Sequence, residues 1–213
     1  NTAEVLAPYL EKYSQIHYYK LPQNGGPAVA RTEAIRRSSG KYVAFLDSDD
    51  IWFPQKLEKQ IAFMKETSSY FSCTAYSCMD DDGNSLHYAL YPPEKTDYRK
   101  CIRLSNPIGN LTAMYDQEKL GKFEVPMIKK RNDFALWLQI LKKTPYCAGM
   151  QEVLGTYRTG RKGSVSSNKL KQGKYHWQLY HDIEHHGYMR SIYEIGCWAF
   201  VKGTHIGLTK YRY

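Results

Sequence analysis

A chain of 213 residues can bury one sizeable hydrophobic core, or at most two small ones. With 42% hydrophobic and 24% charged residues its composition is that of a soluble globular domain, and no apolar run nears the ~20 residues that span a bilayer. The net charge of +9 is uneven: from Arg158 onward ten Lys/Arg face three acids, an excess that points to a phosphate-bearing partner, whether nucleotide, nucleic acid or anionic membrane.

The opening segment, residues 1–13, places Val5, Leu6, Tyr9 and Leu10 at helical spacing; it is amphipathic and contains acids, so it does not read as a signal peptide. Ile16–Tyr19 follows as a short strand candidate. Asn24-Gly25-Gly26 is a turn, and Pro27 suits the first turn of a helix that runs through Ala34-Ile35 and stops by Gly40, with Arg36 and Arg37 near its negative end. Tyr42–Leu46 is a continuous apolar run, as expected of a strand buried on both faces. Leu57, Ile61 and Met64 mark the inner face of the next helix. Phe71–Met79 reads as a strand, closed by a hairpin at Asp82-Gly83. Asp133–Lys143 is a patterned helix with Phe134, Trp137, Leu138 and Leu141 on one side. Beyond Arg158 a Gly/Ser/Lys loop leads into aromatic-rich helical segments. The alternation predicts an α/β fold, a sheet flanked by helices, divided into a core at 1–157 and a basic, aromatic-rich appendage at 158–213. The five cysteines are odd in number and widely spread, with no CxxC pair, which predicts free thiols in a reducing compartment.

The most informative stretch is Val43-Ala44-Phe45-Leu46-Asp47-Ser48-Asp49-Asp50, three carboxylates directly beyond a strand's C-terminal end. Ligands of open α/β sheets bind at that edge. Clustered carboxylates repel, and a site that keeps them ionised commonly holds a cation; Mg²⁺ is often bridged by one or two carboxylates to substrate phosphates. A solvated acidic turn is the plain alternative. An EF-hand loop is excluded, because its sixth position, a required glycine, would be Trp52.

Asn24-Gly25-Gly26 through Ala30-Arg31, then Gly40 through Asp50, and on through Trp52, Pro54, Lys56-Leu57-Glu58 and Gln60, resembles the central block of family 2 glycosyltransferases of the inverting GT-A type. The resemblance covers about residues 1–157. It implies a GT-A-like mixed sheet and transfer of a sugar from a nucleotide donor, a UDP-sugar by expectation, to a glycan or lipid-linked acceptor. It places Asp47 near the ribose or the metal, Asp49 on a divalent ion (Mg²⁺ or Mn²⁺), and Arg31 near the nucleotide phosphates. Thr32 stands where the family usually has Asn. Lys129-Lys130-Arg131-Asn132-Asp133-Phe134 resembles the family's second signature, an acid opening an aromatic-rich helix, which makes Asp133 the general base. Relatives often carry Glu-Asp there, so Asn132 is a departure; the plain alternative for Asp133 is a helix cap.

Set against the family pattern, the chain opens directly after the acidic turn that ends the second strand, so a strand-helix-strand segment is expected to be missing before Asn1. His181-Asp182-Ile183-Glu184-His185 matches a zinc-protease pattern but lies in the basic appendage and reads as a solvated helix face. Asp80-Asp81-Asp82-Gly83-Asn84 reads as a hairpin turn. Basic residues interleaved with aromatics over Lys169–Tyr180 leave nucleic-acid binding, or an inactive glycan-binding module, as the alternative; the acidic cluster argues against nucleic acid. The resemblance implies a bacterial surface-polysaccharide pathway, whose acceptors are often lipid-linked. Trp177, Tyr180, Tyr188, Tyr193, Trp198, Phe200 and Tyr211, with the basic excess, predict a cytoplasmic enzyme, peripheral on the inner face of the membrane; the plain alternative is that these aromatics pack the appendage against the core.

Overall fold

In the computed structural model, which describes residues 1–104, 106–159, 169–204 and 209–212, the chain begins with helices α1 (Thr2–Lys12) and α2 (Gly26–Arg37). Then come strand β1 (Tyr42–Ala44), β2 (Ile51–Trp52), α3 (Lys56–Glu66), β3 (Phe71–Met79), β4 (Ser85–Tyr91), β5 (Lys95–Thr96) and α4 (Tyr98–Arg103). A 3-10 turn (Asn110–Thr112) precedes β6 (Met114–Asp116), α5 (Gln117–Leu120), α6 (Asn132–Leu141) and β7 (Cys147–Arg158). Helix α7 (Lys169–Trp177) continues through a π-helical turn (Gln178–Ile183), followed by α8 (Tyr188–Thr204) and β8 (Thr209–Arg212). The loop expected after Arg158 lies, apart from Thr159, outside the described residues.

Every residue of β3 is buried, and the sheet is organised about it. Its start pairs antiparallel with β6, its end antiparallel with β4, and its other edge runs parallel to β7. The path β1-β6-β3-β4-β8 is extended by β2 and β5, which both pair with β7, so the sheet is mixed and flanked by helices as the sequence predicts. Strand β8 adds to β4, which carries the C-terminal segment back onto the sheet.

Helix α6 is buried on nearly every side instead of one: Phe134, Ala135, Leu136, Trp137, Leu138 and Ile140 are fully inaccessible. Trp137 meets Phe45 edge-on at 5.2 Å and Phe71 at 5.6 Å, aromatic pairs that add to the area they bury. Leu179 and Tyr180 join the same apolar cluster, so the C-terminal elements share the core of the N-terminal ones. Tyr98, Lys142 and Glu184 are joined by hydrogen bonds or ion pairs, as are His186 and Glu194, and these contacts tie α4, α6 and α8 together. None of the five cysteines forms a disulfide, as expected.

Four local expectations differ from the structure. Residues 16–19 form no strand, and Tyr19 instead lies under the Arg37 guanidinium at 4.2 Å. Strand β1 ends at Ala44, buries Val43 only, and lies at one end of the described strand path, so it is not enclosed on both faces. The chain then swings out, with Phe45 turned into the core and Leu46 exposed. Helix α1 buries none of its residues, leaving Val5 and Tyr9 exposed. Helix α3 buries Lys56, Gln60 and Met64 in place of Leu57. Polar pairing explains that rotation: Gln60 Nε2 donates to Ser72 Oγ and to the Thr112 carbonyl, and Lys56 Nζ donates to Gln60 Oε1 at 2.6 Å while lying 4.4 Å from the Trp52 ring.

Lys56 is 1% exposed, and burial pushes its pKa down to about 7. Holding this lysine as a cation therefore opposes folding; the full opposition is present below pH 7 and fades between pH 7 and the unfolded value of 10.5. Wild-type stability should consequently gain on that of Lys56→Met as pH rises from 7 to 10, at a rate approaching about 1.4 kcal/mol per pH unit in mid-window. Urea unfolding of the two proteins across that range measures it, and a difference independent of pH would contradict it.

Candidate functional site

The acidic loop leaves β1 with Phe45 anchored on Trp137 and is closed by a backbone hydrogen bond from Asp50 N to the Asp47 carbonyl. Its three carboxylates have separate surroundings. Asp47 accepts from Arg31 Nη2 at 2.7 Å and from Asn110 Nδ2 at 3.0 Å, so both of its oxygens are held. Asp50 is buried, accepts from Arg158 N at 3.0 Å, and is pushed up to about 6 by burial first and by the charges of Asp49 and Asp47 after it. Asp49 borders an open cleft together with Asp47.

Arg31 comes from the middle of α2, whose start is set by the turn the sequence predicts: Gly26 has φ 76°, its N–H is held by Asn24 Oδ1, and Pro27 occupies the first turn. The same guanidinium that pairs with Asp47 donates from Nη1 to Asn132 Oδ1 at 2.8 Å. Arg31 thereby joins the acidic loop to the N-terminus of α6. Asn132 serves there as a neutral acceptor. Thr32 serves elsewhere, its hydroxyl accepting from Val125 N.

Asp133 is the second residue of α6. It does not serve as the cap, because Arg131 occupies that position, with a left-handed φ of 68° and no side-chain capping bond. The Asp133 carboxylate instead accepts from Asn106 Nδ2 at 3.2 Å. Arg31, Asp47, Asp49 and Asp133 all border one cleft of about 770 Å³, so the structure brings together the four residues singled out in the sequence. Tyr76 and Tyr157, rings 6.1 Å apart and nearly perpendicular, stand beside Asp49, and Lys129, Lys130, Arg131 and Lys202 line the same cleft.

Asn106, Asn110 and Arg158 escape sequence reasoning, since each is a polar residue in a loop or at a strand end, far along the chain from what it holds. Arg158 shows how much is missed. Its Nε donates to the Asp49 carbonyl at 3.1 Å, and its Nη1 to the carbonyls of Asp80 and Asp81 at 3.1 and 2.7 Å. It clamps the acidic loop to the β3–β4 hairpin. The hairpin turn itself is as expected, with Gly83 at φ 89° and Asp80 accepting from the N–H groups of Asp82 and Asn84.

The donor set at Asp47 and Asp49 is all oxygen, and Asn110 Oδ1 beside them is buried with no hydrogen-bond partner among the described residues. Hard divalent cations take such donors. Among the described residues no group of three or more His, Cys, Asp or Glu is placed to hold a metal by itself. These donors therefore fit an ion that completes its shell with ligand phosphates and water, and do not fit a protein-only cage. Glu184 and His181 of the zinc-like pattern are turned to other uses, Glu184 to Tyr98 and Lys142, and His181 to the His186 carbonyl.

Residues 1–152 match the family described as glycosyl transferase family 2. The chain is 42% identical over 201 residues to the glycosyltransferase TuaG of Bacillus subtilis (strain 168), whose name assigns it to teichuronic acid biosynthesis; the match covers 94% of this chain and 77% of that protein. It is 36% identical over 169 residues to the UDP-Glc:alpha-D-GlcNAc-diphosphoundecaprenol beta-1,3-glucosyltransferase WfgD of Escherichia coli, covering 79% of this chain and 65% of that one. The crystal structure of S. aureus TarS 1-349 in complex with UDP-GlcNAc shares the fold, with a TM-score of 0.59 at 16% identity over 84% of this chain and 52% of that one.

Truncating Arg158 should leave the carbonyls of Asp49, Asp80 and Asp81 without this donor. Arg158→Ala is expected to lower the unfolding free energy by about 1–3 kcal/mol. It should also speed amide exchange across residues 47–50 and 80–83 more than in β3. Exchange that rises evenly across the chain, or not at all, would show that Arg158 clamps nothing.

Proposed function

The chain belongs to glycosyl transferase family 2, and we propose that it moves a sugar from a nucleotide-diphosphate donor to a glycan or lipid-linked acceptor in bacterial surface-polysaccharide synthesis. The observation that carries this reading is the cleft itself, in which Asp47 and Asp49 lie on the acidic loop and Asp133 opens a helix bordering the same space. The relatives' names agree with it: teichuronic acid synthesis for one, UDP-Glc and a diphosphoundecaprenol-linked acceptor for another. A uridine nucleotide is accordingly the donor we assign.

Asp133 is the general base. Asn106 engages Oδ2, so Oδ1 takes the proton of the acceptor hydroxyl. The acceptor oxygen then bonds to the anomeric carbon from the face opposite the diphosphate, the carbon–phosphate-oxygen bond breaks, and the nucleoside diphosphate leaves with the electron pair. The configuration inverts in that single displacement. Mg²⁺ or Mn²⁺ held by Asp49, with Asp47 beside it, would offset the charge gathering on the departing diphosphate. Arg31 holds Asp47 by an ion pair in register with α6, and lies toward the nucleotide. In this division of labour residues 1–157 hold the acidic loop and the base, and 158–213 supply the basic, aromatic elements.

Among the C-terminal aromatics Tyr180 is fully buried and Trp177 and Trp198 are half-buried, whereas α8 exposes Tyr188, Tyr193 and Phe200 together with Met189 and Ile192. No helix among the described residues is long and apolar enough to cross a membrane. An exposed apolar helix in the basic third of the chain suits the surface of an anionic leaflet, and we place the enzyme there, on the cytoplasmic side.

Asp133→Asn should keep donor affinity, measured by titration calorimetry with the nucleotide sugar and Mn²⁺, while turnover falls about 10²–10⁴-fold, and EDTA should abolish turnover of the wild type. Turnover within a few-fold of wild type for Asp133→Asn would remove it from the chemistry. Co-sedimentation with anionic liposomes should weaken as salt rises and fall when Ile192 and Phe200 are both changed to Ser; protein that stays in the supernatant at low salt would refute the membrane contact.

A further inference from the structure

The cleft is not uniformly acidic. Besides Asp47 and Asp49, the lining includes Lys129, Lys130 and Arg131, just ahead of α6, and Lys202, from the last turn of α8. Tyr175 of α7 lines it too, with Lys130 Nζ 5.4 Å from the centre of its ring. Arg131 is near enough to Lys202 to act on its charge, so elements distant in sequence bring their cations together on one wall of the cleft.

Arg131 and Lys202 each carry a mark of this arrangement. Arg131 occupies the cap position of α6, where Ser, Thr, Asp or Asn would satisfy an orphan N–H, yet it makes no side-chain capping bond. It also sits at φ 68°, a conformation that non-glycine residues other than Asn and Asp seldom adopt. Lys202 in turn is pushed down by burial and by the neighbouring Arg131 charge. A weak cap, a left-handed arginine and two facing cations all oppose stability. An anion between the cations would offset them, and the positive end of the ten-residue α6 faces the same place.

The position of this wall says which anion it takes. Asp133, the second residue of α6, lies at its edge. On the reading proposed above, Asp133 meets the acceptor hydroxyl and the donor diphosphate belongs to Asp47 and Asp49. A negative group on this wall thus lies beside the acceptor sugar. We propose that Lys130, Arg131 and Lys202, with Tyr175 beside them, form an anion subsite that takes a phosphate or diphosphate ester carried by the acceptor. The subsite gives the enzyme a way to prefer an acceptor sugar still attached to its phosphate over the same sugar free or in a neutral glycoside. This inference rests on the transferase reading for the word acceptor, but the subsite can be tested without turnover.

The probes are geranyl diphosphate, inorganic pyrophosphate and geraniol, titrated calorimetrically into the full chain in EDTA, which removes any contribution from a cation at Asp49. Geranyl diphosphate should bind and should not be displaced by excess UDP. Lys202→Gln and Lys130→Gln should each weaken it about tenfold or more, the loss expected for one charge-assisted contact. Lys202→Arg should restore binding, and geraniol should be indifferent to every substitution. Pyrophosphate binding more weakly than geranyl diphosphate would identify a lipid-linked ester as the source of the phosphate; equal binding would identify a phosphate ester recognised without its lipid. The subsite is overturned if geranyl diphosphate fails to bind at millimolar concentration, if UDP displaces it, or if the two glutamine variants bind it as the wild type does. The transferase reading fails by a different result, no sugar transfer from any nucleotide-sugar donor by the wild type with Mn²⁺ present, which leaves these titrations unaffected.

Discussion

Three carboxylates within four residues repel one another, and the rest of the site is arranged around that repulsion. Each one is managed separately. Asp47 has a guanidinium and an amide on its two oxygens. Asp50 is withdrawn into the protein and accepts a backbone N–H, and its raised pKa records the cost of burying it near the other two. Asp49 keeps its place at the cleft, with its backbone carbonyl held by Arg158. The chain thus concentrates negative charge at one cleft and spreads the burden of that charge over three distant segments.

Rigid placement comes from packing. Phe45, one residue before the exposed Leu46, is wedged against Trp137 in the middle of α6, and Arg31 bridges the tip of the acidic loop to the start of the same helix. An apolar contact and a polar one therefore fix the same two elements at two points. Because α6 is buried on nearly every side, it cannot rotate to relieve strain at its N-terminus. That is where Arg131 holds its left-handed conformation, an outlier maintained by the surrounding structure.

The C-terminal third is bound to the site by more than sequence continuity. Tyr180 and Leu179 enter the main core, β8 extends the sheet, and Lys202 and Tyr175 line the cleft. The exposed apolar residues of α8 and the cation it sends into the cleft belong to one helix. The membrane contact and the anion subsite proposed above thus share one helix.

The sequence by itself determined the acidic loop, the turn before α2, the β3–β4 hairpin and the helix that starts at Asn132. Each of these rests on local rules: hydrophobic spacing, the φ freedom of Gly26 and Gly83, and side-chain caps a few residues away. The four candidate residues came instead from motifs that resemble the family's, and the structure sets all four on one cleft. Tertiary structure decided what no local rule reaches. It rotated α3 so that Lys56 and Gln60 face inward, because Ser72 and the Thr112 carbonyl offered partners worth more than burying Leu57. It ended β1 early, gave Asp133 to Asn106 instead of to its own helix, and recruited Arg158 to the acidic loop across 109 residues. Polar side chains show no periodicity in a sequence. Their partners are set by which buried donors and acceptors remain to be satisfied once the apolar core has closed.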